Sequence, residues 1–583
     1  MIRVSSLIAA CLLAATSLAG AQQDPQTQPT IILPPRVGVD ASQPRSLTLS
    51  DAIRLTLEQN NDVSISRLDR DAARQDIRAA EGVFDPRILP AFTFLRTVSA
   101  NASAIGGAVN GRLEQDQVAG TVGLDSRTPW AGGRLTVDFT SSRLKSSNQF
   151  ARLNPQFPSA LTATYVQPLF RGRSIDPERR QILLARRAAD LTDRQLRQVL
   201  MDQLTLVEQA YWDLVFAVRS LEVQTTALAQ AESQVASNER QAREGTLAPI
   251  DVIEAQTQVA NFRQNVASAQ LTLTEAENRL KNLMLPSRDA PEWTQPLVPS
   301  DVQDRPTPSL SLEEASRLAL ARRPELAALE TARAQNEIDR EFFIDQARPQ
   351  FDLVGTYTLS GLAGGALQQV GNPLDDDPDA ALLARLNELS ERAGLDALPV
   401  PPPTPGTTVP GFLTGNYSDS LGNLFGLRYP TAVVQVQMEL PIGNNTARAN
   451  LARTQIVGNQ IAHQRRQLEQ AIEVDVRNAL QALQSSQHRL DAAASARRNA
   501  VEQYESERRR FESGLSTVFL VLERQTALVT AQARELRARA DLNQAVARLE
   551  RATGGTLERH AVNLTASAPA SDAARPGDGS HRR

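Results

Sequence analysis

The sequence predicts a mainly α-helical fold of long antiparallel helical hairpins, joined to a smaller β part and built twice within one chain. Three observations predict it: a long helix-compatible run with a coiled-coil seam, segments of alternating apolar residues, and an internal repeat. The chain of 583 residues is 41% hydrophobic, 22% charged and only 4% aromatic. This composition is typical of long helices that pack through a narrow apolar seam.

The N-terminus has the pattern of a secretory signal peptide. Residues 1–21 place Arg3 before an apolar run that ends in the small residues AGA, which is typical of a cleavage site. Residues 22–45 are then an N-terminal extension of the mature chain. The single cysteine, Cys11, lies inside the apolar run; a lipidation box and a retained anchor helix are the alternatives. The mature chain therefore has no cysteine for disulfide or thiol chemistry.

An internal duplication follows the extension. The segment SLTLSDAIRLTLEQNNDV from Ser46 aligns without a gap with SLSLEEASRLALARRPEL from Ser309, and each opens a helix. The first repeat covers 46–285 and the second covers 309–554. The proline-rich segment 286–308 is an extended connector, and 555–583 is predicted to be a disordered tail.

Apolar residues alternate in the middle of each repeat, which predicts strands at about 87–170 and 351–440. In GRLTVDFTS, Leu135, Val137 and Phe139 share one face, and FDLVGTYTLS and AVVQVQMEL alternate in the same way. A two-sided soluble sheet is the alternative. Residues 372–411 are acidic and then proline-rich, which indicates an external loop with one short helix.

Each repeat closes with a long helix, a turn and a return helix. From 175 to 244 the sequence is compatible with helix throughout, and apolar residues recur at coiled-coil spacing. The seam residues are Leu200, Leu204, Val207, Tyr211, Leu214, Val218 and Leu221. Gly245 and Gly514 interrupt the two long helices at equivalent positions, and Pro249 suits the first turn of the return helix. Both glycines are predicted to form the tips of helical hairpins.

A membrane location constrains the strands. A chain that enters and leaves the membrane on the same side uses an even number of strands. Because lipid does not tolerate open strand edges, strands from several identical chains would have to form one shared β-barrel. The membrane interpretation therefore implies an oligomer that contacts outer-membrane lipid.

The chain resembles the TolC family of outer-membrane factors over about 46–554. The resemblance rests on the duplication, on the paired tips, and on YVQPLFRG (165–172) and QAYWDLVFA (209–217). It implies a homotrimer with a twelve-stranded outer-membrane barrel continuous with a periplasmic α-barrel of helices. The segment 116–143 departs from the family pattern by adding a hairpin around DSRTPWAGG, which leaves the number of strands per chain open. The implied partners are a periplasmic adaptor (membrane fusion) protein and an inner-membrane pump of the RND or ABC type.

Acidic residues near the tips are the candidate functional residues. By resemblance, Glu523 matches a family position whose acid faces the narrowed channel entrance, and Asp251 matches an acidic position of the first tip. Glu254 is the repeat equivalent of Glu523. The family's other entrance acid falls at Leu520. The alternative is that Asp251 and Glu254 only stabilise a helix N-terminus.

Other functional classes find little support in the sequence. There is no histidine or cysteine spacing suited to a metal and no phosphate-binding glycine loop, so no catalytic site, metal or cofactor is expected. The net charge of −4 and pI near 5.8 argue against nucleic-acid binding. The predicted function is a passive outer-membrane conduit for efflux or type I secretion. The alternatives are an exported coiled-coil tether without a channel, and an adhesin or enzyme.

Overall fold

The structure is a computed structural model whose chain divides into two compact units. One unit comprises Met1–Thr56, Val207–Asp304 and His488–Asn543, and the other comprises Leu57–Leu206, Arg305–Gln487 and Gln544–Arg583. The predicted signal peptide, with Cys11, lies outside the described residues. The described residues are 36–40, 42–102, 106–108, 110–301, 307–367, 378–399 and 409–562.

Helices and strands follow one another in two similar series. The helices are α1 Leu49–Gln59, α2 Asn61–Glu81, α3 Pro177–Arg243, α4 Pro249–Met284, α5 Leu312–Arg322, α6 Pro324–Gln346, α7 Pro378–Arg392, α8 Tyr417–Phe425, α9 Asn445–Glu512, α10 Val518–Ala552 and α11 Thr556–Arg559. The strands are β1 Arg45–Leu47, β2 Arg87–Ala100, β3 Arg112–Arg127, β4 Arg134–Ser146, β5 Leu153–Pro168, β6 Leu297–Pro299, β7 Gln350–Ala366 and β8 Tyr429–Glu439.

The fold class predicted from the sequence is confirmed. The long helices α3 and α9 have 67 and 68 residues, and the return helices α4 and α10 have 36 and 35. Every residue of the predicted α3 seam, from Leu200 to Leu221, is buried. The periodicity therefore identified the side of the helix that packs. None of the described helices combines the length and hydropathy needed to cross a bilayer.

The opening helix of each repeat is broken once, which the sequence analysis did not anticipate. Asn60 is extended (φ −64°, ψ 131°) and its side chain accepts a hydrogen bond from the Val63 amide, so α2 begins anew after α1. In the second repeat Arg323 is extended before Pro324, the first residue of α6. Proline cannot continue a helix, and the residue before it avoids helical geometry.

The proline-rich connector is anchored rather than merely extended. Within it, β6 pairs in parallel with β1. Asp301 accepts a hydrogen bond from the Leu49 amide at 2.6 Å, and the hydroxyl oxygen of Tyr211 lies 3.1 Å from Asp301 Oδ2 and from Leu47 O. Tyr211 is fully buried and burial raises the pKa of its hydroxyl, which stays protonated and can donate. One tyrosine thus ties the connector and β1 to the long helix.

We expect Tyr211→Phe to destabilise the protein by about 1–3 kcal/mol, because buried groups around the hydroxyl lose their partner. The measurement is the apparent melting temperature of the detergent-solubilised protein by circular dichroism. Tyr504→Phe on α9 is the matched control, since the Tyr504 hydroxyl has no hydrogen-bond partner within the described residues. Equal melting temperatures for the two variants would contradict this role of Tyr211.

The described end of the N-terminal extension is held by buried charges. Arg36 Nη1 lies 2.7 Å from Glu277 Oε2, and Lys281 Nζ lies 2.6 Å from Glu277 Oε1. Lys281 Nζ also donates to the Trp293 carbonyl at 2.8 Å. The three charged side chains are almost completely buried, so each depends on the others to offset its desolvation. The N-terminal segment and the connector are therefore both fastened to α4.

Six of the strands form a single antiparallel sheet in the order β2-β3-β4-β5-β7-β8. The twelve-stranded trimer implied by the family resemblance would need four strands per chain, a number that the added hairpin left open, and this sheet has six. The segment 116–143 forms much of the β3–β4 hairpin, whose strands pair from Gln115 with Ser146 to Arg127 with Arg134. The first repeat therefore supplies four strands and the second supplies two.

The C-terminal boundary also differs from the expectation. The short helix α11 lies inside the range 555–583, which was predicted to be a disordered tail. Gly554, with φ +75°, ends α10, and Arg559 forms an ion pair with Glu550 at 2.7 Å. The chain after residue 562 lies outside the described residues.

Candidate functional site

The two glycine turns have the same backbone geometry. Gly245 and Gly514 have φ values of +78° and +74°. At the first tip the Gly245 amide donates to the Ala242 carbonyl and the Thr246 amide to the Gln241 carbonyl; the second tip repeats both bonds. This is a Schellman motif, which requires a left-handed residue after the helix and favours glycine. Pro249 then stands at the first position of α4.

The tips of the two hairpins pack against each other. Ala255 of α4 and Val518 and Leu522 of α10 form a buried apolar cluster, against which Val235 of α3 and Phe511 of α9 pack. All four helices therefore contribute to one apolar core beside the turns. This packing fixes the position of the acidic residues that follow each turn.

Glu254 and Glu523 line one cleft of about 700 Å³ between α4 and α10. Glu523 is exposed, whereas Glu254 is half-buried and its Oε2 atom accepts no hydrogen bond within the described residues. Gln258 donates to Thr526 Oγ1 at 2.8 Å across the cleft. The two repeat-equivalent carboxylates are thus brought together by the packing of the return helices.

Asp251 is not among the residues that line this cleft. It lies in the first turn of α4, where its amide donates to the Ala248 carbonyl at 3.1 Å. A carboxylate in the first turn interacts favourably with the helix dipole. Asp251 thus lies in the first turn of α4 and outside the cleft that the other two acids line, and its place at the channel entrance stays a prediction.

Several cleft residues were not identified from the sequence. Ile253, Phe519 and Leu522 give the cleft apolar walls, and Arg534 adds a positive charge at one end. On α10, from Phe519 to Arg534, each lining residue has another lining residue three or four positions away. That spacing marks one helix face, and it could have indicated these positions in advance.

One face of the six-stranded sheet is apolar across its whole width. Residues that pair with one another across the six strands form a row, and the side chains of one row lie on the same face of the sheet. Two successive rows on this face consist entirely of apolar residues. The rows are Ile88, Leu124, Val137, Ala163, Tyr357 and Ala432, and then Pro90, Val122, Phe139, Leu161, Leu359 and Pro430. The alternating residues noted in three separate segments of the sequence all lie on this face.

The opposite face is polar. Threonine hydroxyls pair across neighbouring strands, with Thr162 and Thr358 3.2 Å apart and Thr164 and Thr356 3.3 Å apart. Near one end, Asp125 accepts hydrogen bonds from Arg134 at 2.9 and 3.0 Å. An apolar face and a polar face on one sheet are typical of a β-barrel between lipid and water.

Helix α8 covers one end of the apolar face. Ser420 of α8 lies 2.8 Å from Ser159 of β5, measured between the hydroxyl oxygens, and a Cβ at Gly361 of β7 would lie 2.2 Å from the Ser420 carbonyl oxygen. Only glycine permits this close approach. Tyr417 and Phe425 remain exposed, so α8 extends the apolar surface instead of interrupting it.

Comparison with known proteins agrees with this architecture. A family model described as "Outer membrane efflux protein" matches residues 134–284 and 409–555, more than half of the chain. The matched segments run from β4 through α4 and from the segment before α8 through α10, and so include both helical tips. No curated protein matches the sequence.

Several solved structures share the fold. A membrane protein from Pseudomonas aeruginosa has 18% identity and a TM-score of 0.57, with 89% of this chain and 91% of that one covered. The Campylobacter jejuni CmeC outer membrane channel has 13% identity and a TM-score of 0.56, with coverage of 87% and 86%. The open state of the Neisseria gonorrhoeae MtrE outer membrane channel has 16% identity and a TM-score of 0.52, with coverage of 87% and 89%.

The protein is by class an outer-membrane efflux protein with a large periplasmic part. It belongs to the outer membrane efflux protein family, and the TolC-family resemblance seen in the sequence is confirmed.

Proposed function

We propose that the chain forms a passive homotrimeric channel, the outer-membrane part of a tripartite efflux or type I secretion system. In this system the channel receives cargo from a periplasmic adaptor protein and an inner-membrane RND or ABC pump. The observation that carries the proposal is the sheet with one broad apolar face, much of it exposed in the single chain, because an exposed apolar surface of this kind is typical of a β-barrel that contacts lipid. A coiled-coil tether without a channel does not require an apolar sheet face.

The helical tips are the proposed docking and entry point. The reversals at Gly245 and Gly514 place two adjacent tips in each copy, and three copies would present six tips around one opening. Glu254 and Glu523 would contribute six carboxylates near that opening. A passive conduit takes its substrate specificity from the pump, so the cargo is set by the partners.

We expect detergent-solubilised protein to have three times the mass of the mature chain by native mass spectrometry. The physical reason is that the sheet cannot satisfy its two edges within one copy. Membrane fractionation should recover the protein with the outer membrane, and extraction should require detergent. A stable monomer that stays in solution without detergent would contradict the channel and support the tether.

A further inference from the structure

We propose that each copy contributes six strands to the shared barrel, so that the trimer forms an eighteen-stranded barrel in which β8 of one copy pairs with β2 of the next. This inference rests on the proposed trimeric channel. It concerns the surface on which two copies meet in the membrane, and the partner of each edge is a second copy of this chain.

The length of the strands is the first argument. A transmembrane β-strand needs about 9–11 residues. The strands β2, β3 and β4 have 14, 16 and 13 residues, and β5, β7 and β8 have 16, 17 and 11. The β3–β4 hairpin is therefore as well suited to span the membrane as the other four strands.

The distribution of apolar residues is the second argument. The two apolar rows pass through Leu124 and Val122 of β3 and through Val137 and Phe139 of β4 without interruption. A hairpin that stood outside the membrane, or that folded into the channel, would not need an apolar face aligned with that of its neighbours. The added strands thus carry the same division between lipid and water as the rest of the sheet.

The sheet edges are the third argument. Within the described residues, β2 pairs only with β3, and β8 pairs only with β7. Neighbouring strands are antiparallel throughout, so the first and sixth strands run in opposite directions. Pairing of β8 with β2 of the next copy would therefore be antiparallel, like every other pair of neighbouring strands in the sheet. Lipid would otherwise contact unpaired backbone groups.

The apolar face is continuous across this proposed junction. Phe92 and Phe94 of β2 are 77% and 64% exposed, and Val434 and Val436 of β8 are 78% and 61% exposed. The register assigns all four residues to the apolar face. Pairing of the two edges would close the ring with one apolar outer surface and one polar lumen.

A wider channel is the functional consequence. Barrel diameter grows roughly in proportion to strand number, so eighteen strands give a barrel about 1.5 times as wide as twelve strands. The first repeat supplies twice as many strands as the second, although both supply one long helical hairpin. The duplication is therefore preserved in the long helical hairpins, whereas the two repeats contribute different numbers of strands to the sheet.

Electron cryo-microscopy of the full-length protein in lipid nanodiscs tests the strand number directly. The expected result is a threefold-symmetric ring of eighteen strands. A trimeric barrel of twelve strands, with the β3–β4 hairpin outside it, would overturn this inference and leave the proposed channel intact. A particle without a membrane barrel would overturn the proposed function itself.

Cysteine cross-linking identifies the strands at the junction. The Cys11→Ser protein provides a cysteine-free background, in which Thr93→Cys on β2 is combined in turn with one cysteine on the polar face of β8. The β8 positions are Thr431, Val433, Gln435, Gln437 and Glu439. At least one pair is expected to give covalent dimers and trimers that disappear on reduction.

A pair inside one copy serves as the control. The double variant Thr121→Cys with Thr140→Cys has one cysteine on β3 and one on β4. The hydroxyl oxygens of the two native threonines lie 3.3 Å apart, so this variant should lose its free thiols without forming oligomers. Absence of covalent oligomers from all five β2–β8 pairs, while the control pair oxidises, would overturn the proposed junction.

Discussion

Replacement of Gly245 or Gly514 by valine is expected to reduce transport on the order of tenfold while the trimer still assembles. Both glycines have a left-handed backbone, which costs an L-residue about 1–2 kcal/mol or more. A Cβ at either position would contact nothing within 4 Å, so the penalty comes from the backbone alone. The strained tip would lose the geometry that places the return helix against its neighbours.

The measurement is the susceptibility of the native host, deleted for this gene and complemented with each variant, to compounds that the deletion sensitises. Gly394→Val is the matched control, because Gly394 has a φ of +70° and an equally open surrounding but lies after α7. Asparagine tolerates the left-handed region, so Gly245→Asn should retain most transport. Full transport by both tip valine variants, with assembled trimers, would show that the reversals are not required.

Glu523→Gln is expected to reduce the cation selectivity of the channel and to weaken its block by trivalent cations at least tenfold. In a trimer, three copies of Glu523 would surround one narrow opening, where grouped negative charges attract cations and exclude anions. One pair of unit charges 4 Å apart in water gains roughly 1 kcal/mol. Removal of three charges close to a trivalent ion should therefore reduce the binding free energy of that ion by several times this amount. The effect is therefore larger than that of an isolated surface charge.

Planar bilayers allow both properties to be measured on purified protein. The reversal potential across a salt gradient reports selectivity, and hexaamminecobalt(III) added on the periplasmic side reports block. Glu505→Gln, an exposed position on α9 outside the cleft, removes the same charge and should change neither property.

The repeat equivalent of Glu523 extends the same experiment. Glu254 lines the same cleft, so Glu254→Gln should weaken the block in the same direction, and the double variant should weaken it further. Asp251→Asn should have a smaller effect, because Asp251 lies in the first turn of α4 and outside the cleft. Unchanged selectivity and unchanged block in Glu523→Gln would show that Glu523 does not lie at the entrance.

The helical part of the fold could be read from the sequence because its determinants are local. The coiled-coil spacing on α3 requires only a constant helical period, and it identified the buried face. The reversals were predictable because glycine is the residue that enters a left-handed turn without strain. Gly245 is the first glycine after Gly172 in a long helix-compatible segment, and Gly514 occupies the equivalent position in the second repeat, so the signal was clear.

The strands were only partly predictable. The alternation on β4, β7 and β8 was strong enough to reveal one apolar face in each, such as Leu135, Val137 and Phe139. In β3 the glycines Gly120 and Gly123 weaken the alternation, and in β5 Pro155 and Pro158 obscure the beginning of the strand. The sequence analysis consequently noticed an added hairpin without establishing that it joins the same sheet.

The sequence by itself determined the duplication, the helical hairpins, the position of their tips and the division of the strands into two faces. Each of these follows from residue spacing along the chain. Only the tertiary structure decided that six strands form one sheet, that Glu254 and Glu523 share a cleft without Asp251, and that α8 packs at Gly361. These features depend on residues far apart in the chain, whose contacts are set by register and packing rather than by local period.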